Sequence, residues 1–458
     1  MSAVNRAEPE LTRGLNAWDT TLLVLGLVLG GGIFLTPASI ARALPSGPWI
    51  LGVWVAGGLL AVCGGLVFAE LGAMMPQAGG MYLYIRDAYG ALPGFLYAWT
   101  AYFVILAGAD AAVAVGFAEY LSVFFPGLGT SRVILHVGGF AISAGQLVAV
   151  AAILLLSATH YVGIKEGSRI QGFFTALIVA ALLAIVVGGI LAPTPPASAT
   201  PALARSASIS MAAVGTALIA VFWAYYGWNE IAAVAGEVAR PQRNIPLALL
   251  LGTALVMLLY VGANAVFLKA IPVAEMATTA RPAELASRRL FGDMATTAIS
   301  LAVAAAAFGC ISASLAPAPR IVYALSRDGL FPRPFGRTHP RFRTPAFAIT
   351  VQAIWMSVLC LSGRYDQLYT YATFAVILAY TASGVALFVF RRRHPEWQRP
   401  YRCWGYPAVP LVFVASSVLL AVNTLREQPR ETLAGLAIVL AGLPVYFGIR
   451  RRLRRESA

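Results

Sequence analysis

Leu29-Gly30-Gly31-Gly32-Ile33-Phe34, followed shortly by Pro37, interrupts an apolar run over residues 17–43 of a 458-residue chain. Each glycine costs a helix interior about 1 kcal/mol relative to alanine, so three in succession are a poor choice for an unbroken helix. A packing face for a neighbouring helix would space its small residues four apart. A contiguous triplet instead strips side chains from every side, and it reads as a helix that unwinds and turns free amides and carbonyls toward a polar cavity. A second interruption sits inside the run 211–238, at Phe222-Trp223-Ala224-Tyr225-Tyr226-Gly227-Trp228-Asn229-Glu230. Membrane aromatics usually form belts at the two interfaces, so this cluster at mid-run marks another break.

The runs that carry these breaks belong to a set of twelve, at residues 17–43, 48–74, 93–124, 140–161, 170–192, 211–238, 245–270, 294–325, 345–362, 366–390, 405–423 and 432–449. Most have the ~20 residues that a helix needs to cross ~30 Å of hydrocarbon. Only 11% of residues are charged and 59% are hydrophobic, with a mean hydropathy of +0.76, which excludes a water-soluble fold. The runs lack the alternation of barrel strands, so the expectation is an all-α membrane protein of twelve helices, the first and sixth broken. The first run ends without a small-residue cleavage signature and reads as a retained helix.

The formal charge of +14 is accounted for by topology. With the N-terminus inside, 23 of the 33 basic residues fall on the cytoplasmic side, concentrated at Arg327 to Arg343, Arg391 to Arg402 and the tail from Arg450, which places both termini in the cytoplasm of a multi-pass plasma-membrane protein. Membrane lipid is the implied surrounding, and nucleic acid is not. Cys63, Cys310, Cys360 and Cys403 are scattered without metal-ligand or disulfide spacing, and His136, His160, His339 and His394 are expected at helix ends or loops in solvated roles. No phosphate-binding loop and no hydrolase motif is present, so no cofactor, metal site or enzyme activity is indicated.

Breaks five helices apart are the pointer to two inverted repeats with a substrate held where the half-helices meet. Half-helix N-termini offer amides suited to a carboxylate and half-helix C-termini offer carbonyls suited to an ammonium, so a zwitterion fits both ends.

Several stretches together resemble a known family. They are Leu29 to Phe34, Ala69-Glu70-Leu71-Gly72-Ala73-Met74-Met75-Pro76-Gln77-Ala78-Gly79-Gly80, Ala224 to Asn229, and Arg240-Pro241-Gln242-Arg243-Asn244-Ile245-Pro246. Ala324 to Gly329, Phe342 to Pro345 and Arg399 to Arg402 add three more. In this order they resemble the amino acid-polyamine-organocation superfamily, and in particular its L-type amino-acid transporter branch with bacterial serine/threonine exchangers. The resemblance implies two inverted five-helix repeats (17–192 and 211–390) between a cytoplasmic segment (1–16) and two added helices (405–449) with a basic tail (450–458). It implies alternating access, a carboxylate site on the backbone of Gly30, Gly31, Gly32 and Ile33, and an ammonium site on the carbonyls of Phe222, Trp223, Ala224 and Tyr225, beside Gly227. Trp223 stands where relatives place a gating aromatic. The chain departs from the pattern at Gly31, where a serine is frequent, and at Ile178, where many relatives carry a lysine in the fifth helix. The eighth helix holds Ser312, a candidate for ion coupling, near Pro317 and Pro319, which neither indicates nor excludes sodium.

Two acids fall within the runs, where a charge costs about 3 kcal/mol at mid-membrane even on the mildest scale. Asp110 is read as a proton carrier or a counter-charge for a cationic substrate, and Glu230 as either a coupling residue or a carboxylate held by loosened backbone. Glu70 and Asp87, near the cytoplasmic ends, read as structural. The leading expectation is a secondary transporter of neutral L-amino acids, working by exchange or by proton- or sodium-coupled symport. Proton-coupled transport of cationic amino acids or amines is the alternative. A partner-dependent subunit or transceptor is the reading from a different class, although no heavy subunit is indicated.

Overall fold

The computed structural model describes residues 11–137, 140–194, 209–279, 281–363 and 365–456. Of the expected terminal segments, residues 1–10, 457 and 458 lie outside the described residues. The described residues form nineteen α-helices. The first group is α1 (Ala17–Val28), α2 (Gly32–Ala43), α3 (Gly47–Met74), α4 (Met81–Tyr89), α5 (Ala91–Thr100), α6 (Leu106–Leu121), α7 (Ala144–Val162) and α8 (Ile164–Leu191). The second is α9 (Met211–Ala224), α10 (Pro241–Ala270), α11 (Val273–Thr278), α12 (Pro282–Phe291), α13 (Asp293–Ser314), α14 (Pro317–Arg327), α15 (Ala346–Ser362) and α16 (Tyr365–Arg393). Then follow α17 (Ala408–Glu427), α18 (Pro429–Leu440) and α19 (Gly442–Glu456).

Among the described residues, ten helical stretches are long and apolar enough to cross a membrane, and α1 and α15 are shorter apolar helices. Each overlaps one of the runs read from the sequence. Both expected breaks are present: α1 stops before Leu29 and α2 starts at Gly32, while α9 stops at Ala224 and a tight 3-10 helix resumes over Trp228–Glu237. The halves pair crosswise, α2 against α9 and α1 against the 3-10 helix, so the two broken segments run antiparallel. Around them α3 packs on α10, α6 on α13 and α7 on α15.

Three features depart from the sequence reading. Val133–Val137 and Phe140–Ser143 pair as an antiparallel hairpin, so the fold is not purely α and the fourth span starts at Ala144 rather than at 140. The cause is visible in the β-branched residues on either side of Gly138-Gly139, a hairpin dipeptide. Second, the third span contains a π-helical turn at Ala101–Ile105, and the Phe103 carbonyl accepts the Trp355 indole N–H at 2.7 Å. Such turns recur at functional sites. Third, His160 is not solvated: it is 1% exposed, with Nε2 3.4 Å from the Ser312 hydroxyl. His136 is exposed, and His339 and His394 are partly exposed.

Buried ion pairs join distant segments. The wholly buried Glu70 receives Arg391 through Nε at 2.9 Å and Nη2 at 2.6 Å, and the Cys403 amide at 2.7 Å. Asp87 is paired with Arg86, which also reaches Asp328 at the end of α14. Arg320, which the topology count placed with the cytoplasmic cations, is instead fully buried in a bidentate pair with Glu237, at 2.6 and 3.1 Å. Beside it the Leu15 amide donates to the Glu237 carbonyl and the Ala239 amide to the Leu15 carbonyl, so the lead-in to α1, the end of the 3-10 helix and α14 are clamped together. Removing one partner leaves the other charge buried and unpaired, so Arg320→Ala is expected to cost about 3–5 kcal/mol, and Arg320→Met with Glu237→Leu far less. Thermal melting of the purified protein checks this; equal losses in both variants would contradict it.

Candidate functional site

At the first break the backbone tightens: Leu29 N–H bonds to Leu25 O, Gly30 N–H to Val28 O, and Phe34 N–H to Gly31 O at 3.1 Å. No side chain caps α2, so the amides of its first turn carry the partial positive charge of an open helix N-terminus. Pro37 cannot donate within α2, and one residue before it the Thr36 hydroxyl donates to Gly32 O at 2.8 Å. The C-terminal end of α1 is held from outside, where the Tyr260 hydroxyl donates to Val28 O at 3.0 Å.

Glycine is needed at these breaks chiefly for close approach. A Cβ on Gly32 would lie 3.0 Å from Ala224 Cα, and one on Gly30 would lie 3.0 Å from Cys310 Sγ. Gly227 is more constrained, with φ at +119° and a Cβ that would lie 2.2 Å from the Leu27 carbonyl oxygen. Gly26, four residues before the triplet, is a packing position within α1 against Gln171 and Thr175 of α8. Gln171 donates from there to Leu22 O at 2.7 Å.

Between the breaks lies a cavity of about 120 Å³. The first break contributes Gly30, Gly31, Gly32 and Thr36, and the second Trp223, Ala224, Tyr226, Gly227 and Glu230. Asp110 enters from α6, and Cys310 and Ser314 from α13. Asp110 and Glu230, the two acids singled out in the sequence, both line this cavity. Ile33, Phe222, Tyr225 and Ser312 are not among its lining residues. Ile33 is fully buried. Phe222 and Tyr225 line a separate crevice, with the Tyr225 hydroxyl donating to Trp54 O at 3.1 Å. Ser312 sits with His160, its hydroxyl 3.5 Å from Gly167 O. Ile178 is buried in α8.

The electrostatics of the cavity are one-sided. No lysine, arginine or histidine lines it among the described residues. Glu230 Oε1 accepts from Tyr226 Oη at 3.0 Å and from Asn229 Nδ2 at 2.7 Å, and the Tyr380 hydroxyl donates to Asn229 Oδ1. Side chains therefore hold this carboxylate, rather than the loosened backbone that was one of its two expected roles. Asp110 is 2% exposed, and its Oδ2 has no hydrogen-bond partner among the described residues. Trp223 lies tilted against Tyr226, ring centroids 5.4 Å apart, at the edge of the cavity. Sequence reasoning did not single out Tyr226 or Thr36, which lie at the breaks themselves, nor Cys310 and the supporting Tyr260 and Tyr380, because nothing local marks a helix residue that faces a distant break.

The chain belongs to the amino acid permease family, whose match extends over residues 15–447. These are membrane transporters of the amino acid-polyamine-organocation superfamily, and the L-type branch lies among the similar proteins. The serine/threonine exchanger SteT of Bacillus subtilis (strain 168) is 28% identical over 94% of this chain and 95% of its own length. The human large neutral amino acids transporter small subunit 2 is 30% identical over 93% of this chain and 78% of its own. The human b(0,+)-type amino acid transporter 1 is 29% identical over 97% and 90%.

Proposed function

We propose that this permease carries neutral L-amino acids across the plasma membrane by alternating access, by exchange or ion-coupled symport. The observation that carries the proposal is the meeting of an uncapped α2 N-terminus with the C-terminal end of α9 around one cavity, a carboxylate site facing an ammonium site. The exchange mode draws support from the serine/threonine exchanger that matches nearly end to end. Trp223 is proposed as the lid; that it lines the cavity and packs against Tyr226 supports the reading.

The twelve-helix, two-repeat architecture belongs to the same proposal. The ten long stretches are joined by the broken α1–α2 span and by α15, whose 17 residues reach the lower limit for crossing. Crosswise pairing of the half-helices, and of α3 with α10, α6 with α13 and α7 with α15, is what inverted repeats over 17–192 and 211–390 would produce. Both termini are assigned to the cytoplasm on the basic-residue bias. A covalently tethered heavy subunit is not part of the proposal. Cys310, Cys360 and Cys403 are buried, Cys63 lies within α3, and burial with Glu70 alongside pushes the Cys403 thiol up to about 12.

A second reading, transport of cationic amino acids or amines, is favoured by one observation: two acids line the cavity, one with an unpartnered oxygen, and no basic side chain faces them. Equilibrium binding to the purified protein separates the readings. Under the first, removing either the α-carboxylate or the α-ammonium from a neutral amino acid lowers affinity roughly 10- to 100-fold, the size of a lost charge-assisted hydrogen bond. Tight binding of simple amines that lack a carboxylate would establish the second.

A further inference from the structure

A second, mainly apolar cavity lies beside the one between the breaks. It is a crevice of about 340 Å³ between α9 and α17, backed by Gly57 and Ala61 of α3. Its outer edge is formed by residues that face the surrounding lipid, with Met211 80% exposed and Leu419 69% exposed. Its inner wall is aromatic: Tyr225, Tyr226, Trp228, Tyr380 and Phe413. Ser416 and Ser417, midway along, donate their hydroxyls to the Phe413 carbonyl at 2.9 and 2.8 Å, and the polar groups without such a partner gather at one end. Arg426, in the last turn of α17, stands at the mouth, and no hydrogen bond or ion pair holds it among the described residues. Just inside it the Asn423 side-chain nitrogen is buried with no hydrogen-bond partner among the described residues.

This polarity matches a phospholipid. α17 has 20 residues, about 30 Å of helix, so its final turn lies at headgroup level. From Arg426 to Phe413 the helix axis covers about 20 Å, the ~15 Å depth of one leaflet plus part of the headgroup layer. A guanidinium without a protein partner and a buried amide donor complement a phosphodiester and the ester oxygens below it. The wall beyond offers mainly apolar and aromatic surface to an acyl chain, and the hydroxyls of Ser416 and Ser417 within it are already bonded to the Phe413 carbonyl.

We infer that a phospholipid of the bilayer occupies this crevice, its phosphodiester on Arg426, its ester region on Asn423 and one acyl chain against the Tyr226–Tyr380 wall. Tyr226 also lines the transport cavity, and its hydroxyl holds Glu230 while that of Tyr380 holds Asn229, so the chain buttresses the outer side of the second break. The inference stands apart from the substrate assignment.

The test uses the full chain in nanodiscs containing a phosphatidylglycerol with a photoactivatable diazirine near the end of one acyl chain, with cross-linked peptides mapped by mass spectrometry. Labelling is expected to concentrate on α9 and α17 peptides that line the crevice, above the level on the lipid-facing side of α10. Leu218→Trp, which fills the crevice, is expected to abolish the excess, and Leu258→Trp, at an exposed position on α10, to leave it intact. Arg426→Gln is expected to lower it about fivefold, which corresponds to about 1 kcal/mol of headgroup attraction. Labelling of α9 and α17 no greater than that of α10, or indifferent to Leu218→Trp in a folded, monodisperse variant, overturns the inference. Labelling that responds to Leu218→Trp and ignores Arg426→Gln overturns the headgroup assignment. The same level with a diazirine fatty alcohol that lacks a phosphate overturns the phospholipid as occupant.

Discussion

Gly227→Ala is expected to eliminate measurable uptake and to lower thermal stability. Two independent effects act at this position. The backbone sits at φ +119°, which L residues rarely adopt, at a cost of about 1–3 kcal/mol. The new methyl would also stand 2.2 Å from the Leu27 carbonyl oxygen and 2.8 Å from its carbon, and backbone atoms have no rotamer in which to move aside. Either the turn shifts or α1 recedes, and both movements reshape the cavity that the two breaks enclose. Glu230 N–H bonds to Gly227 O at 3.0 Å, so the displacement reaches the carboxylate directly. A loss of more than tenfold in uptake requires only about 1.4 kcal/mol, less than either effect could supply. Gly116→Ala, in α6 where an added methyl meets nothing within 4 Å, is the matched control and should transport normally. Measured side by side in proteoliposomes, near-normal uptake by Gly227→Ala would show that the contact between the breaks does not shape the site.

Asp110→Asn is the second large effect, and its form distinguishes what the carboxylate is for. An acid buried in an apolar stretch with a free oxygen needs a proton or a cation as its companion. Ile178 removes the lysine that the family resemblance would place in the fifth helix, and no other basic side chain lines the cavity. As a proton carrier, Asp110 is required for accumulation driven by a pH gradient. The amide variant, unable to ionise, is then expected to lose that accumulation by at least tenfold while continuing to exchange external for internal substrate. Under the second reading the same variant keeps neutral amino acids and loses affinity for cationic ones, since only those lose a charge partner. Unchanged accumulation, exchange and selectivity together would make Asp110 a packing residue.

The breaks were legible because they violate a local rule. Three adjacent glycines and a mid-span aromatic cluster need no knowledge of neighbours to be recognised as unsuited to a continuous transmembrane helix. Asp110 was legible on the same ground, as a charge in an apolar run. The residues that the resemblance groups together need not share one face, because a stretch of backbone presents only some of its residues to any one side. Trp223 and Ala224 line the cavity while Phe222 and Tyr225, their neighbours, line the crevice on the opposite face. The glycine triplet reads as a broken helix, and what the missing side chain of Gly32 accommodates is the Ala224 backbone. The partners of buried polar groups were not legible. Arg320 looks like one more cytoplasmic cation, and His160 looks like a helix-end residue, until the tertiary fold brings Glu237 and Ser312 to them. The hairpin at 133–143 was readable from its Gly138-Gly139 pair and was overridden by the run of apolar residues that follows.

Counterflow tests the central claim most directly. Proteoliposomes containing the purified chain, preloaded with an unlabelled neutral L-amino acid such as serine or leucine, are given the labelled compound outside with no ion gradient. The account predicts transient accumulation of label above equilibrium, stereospecific for the L form and absent in Gly227→Ala. Failure of every neutral, cationic and amine substrate to produce counterflow in a folded, reconstituted preparation would contradict it.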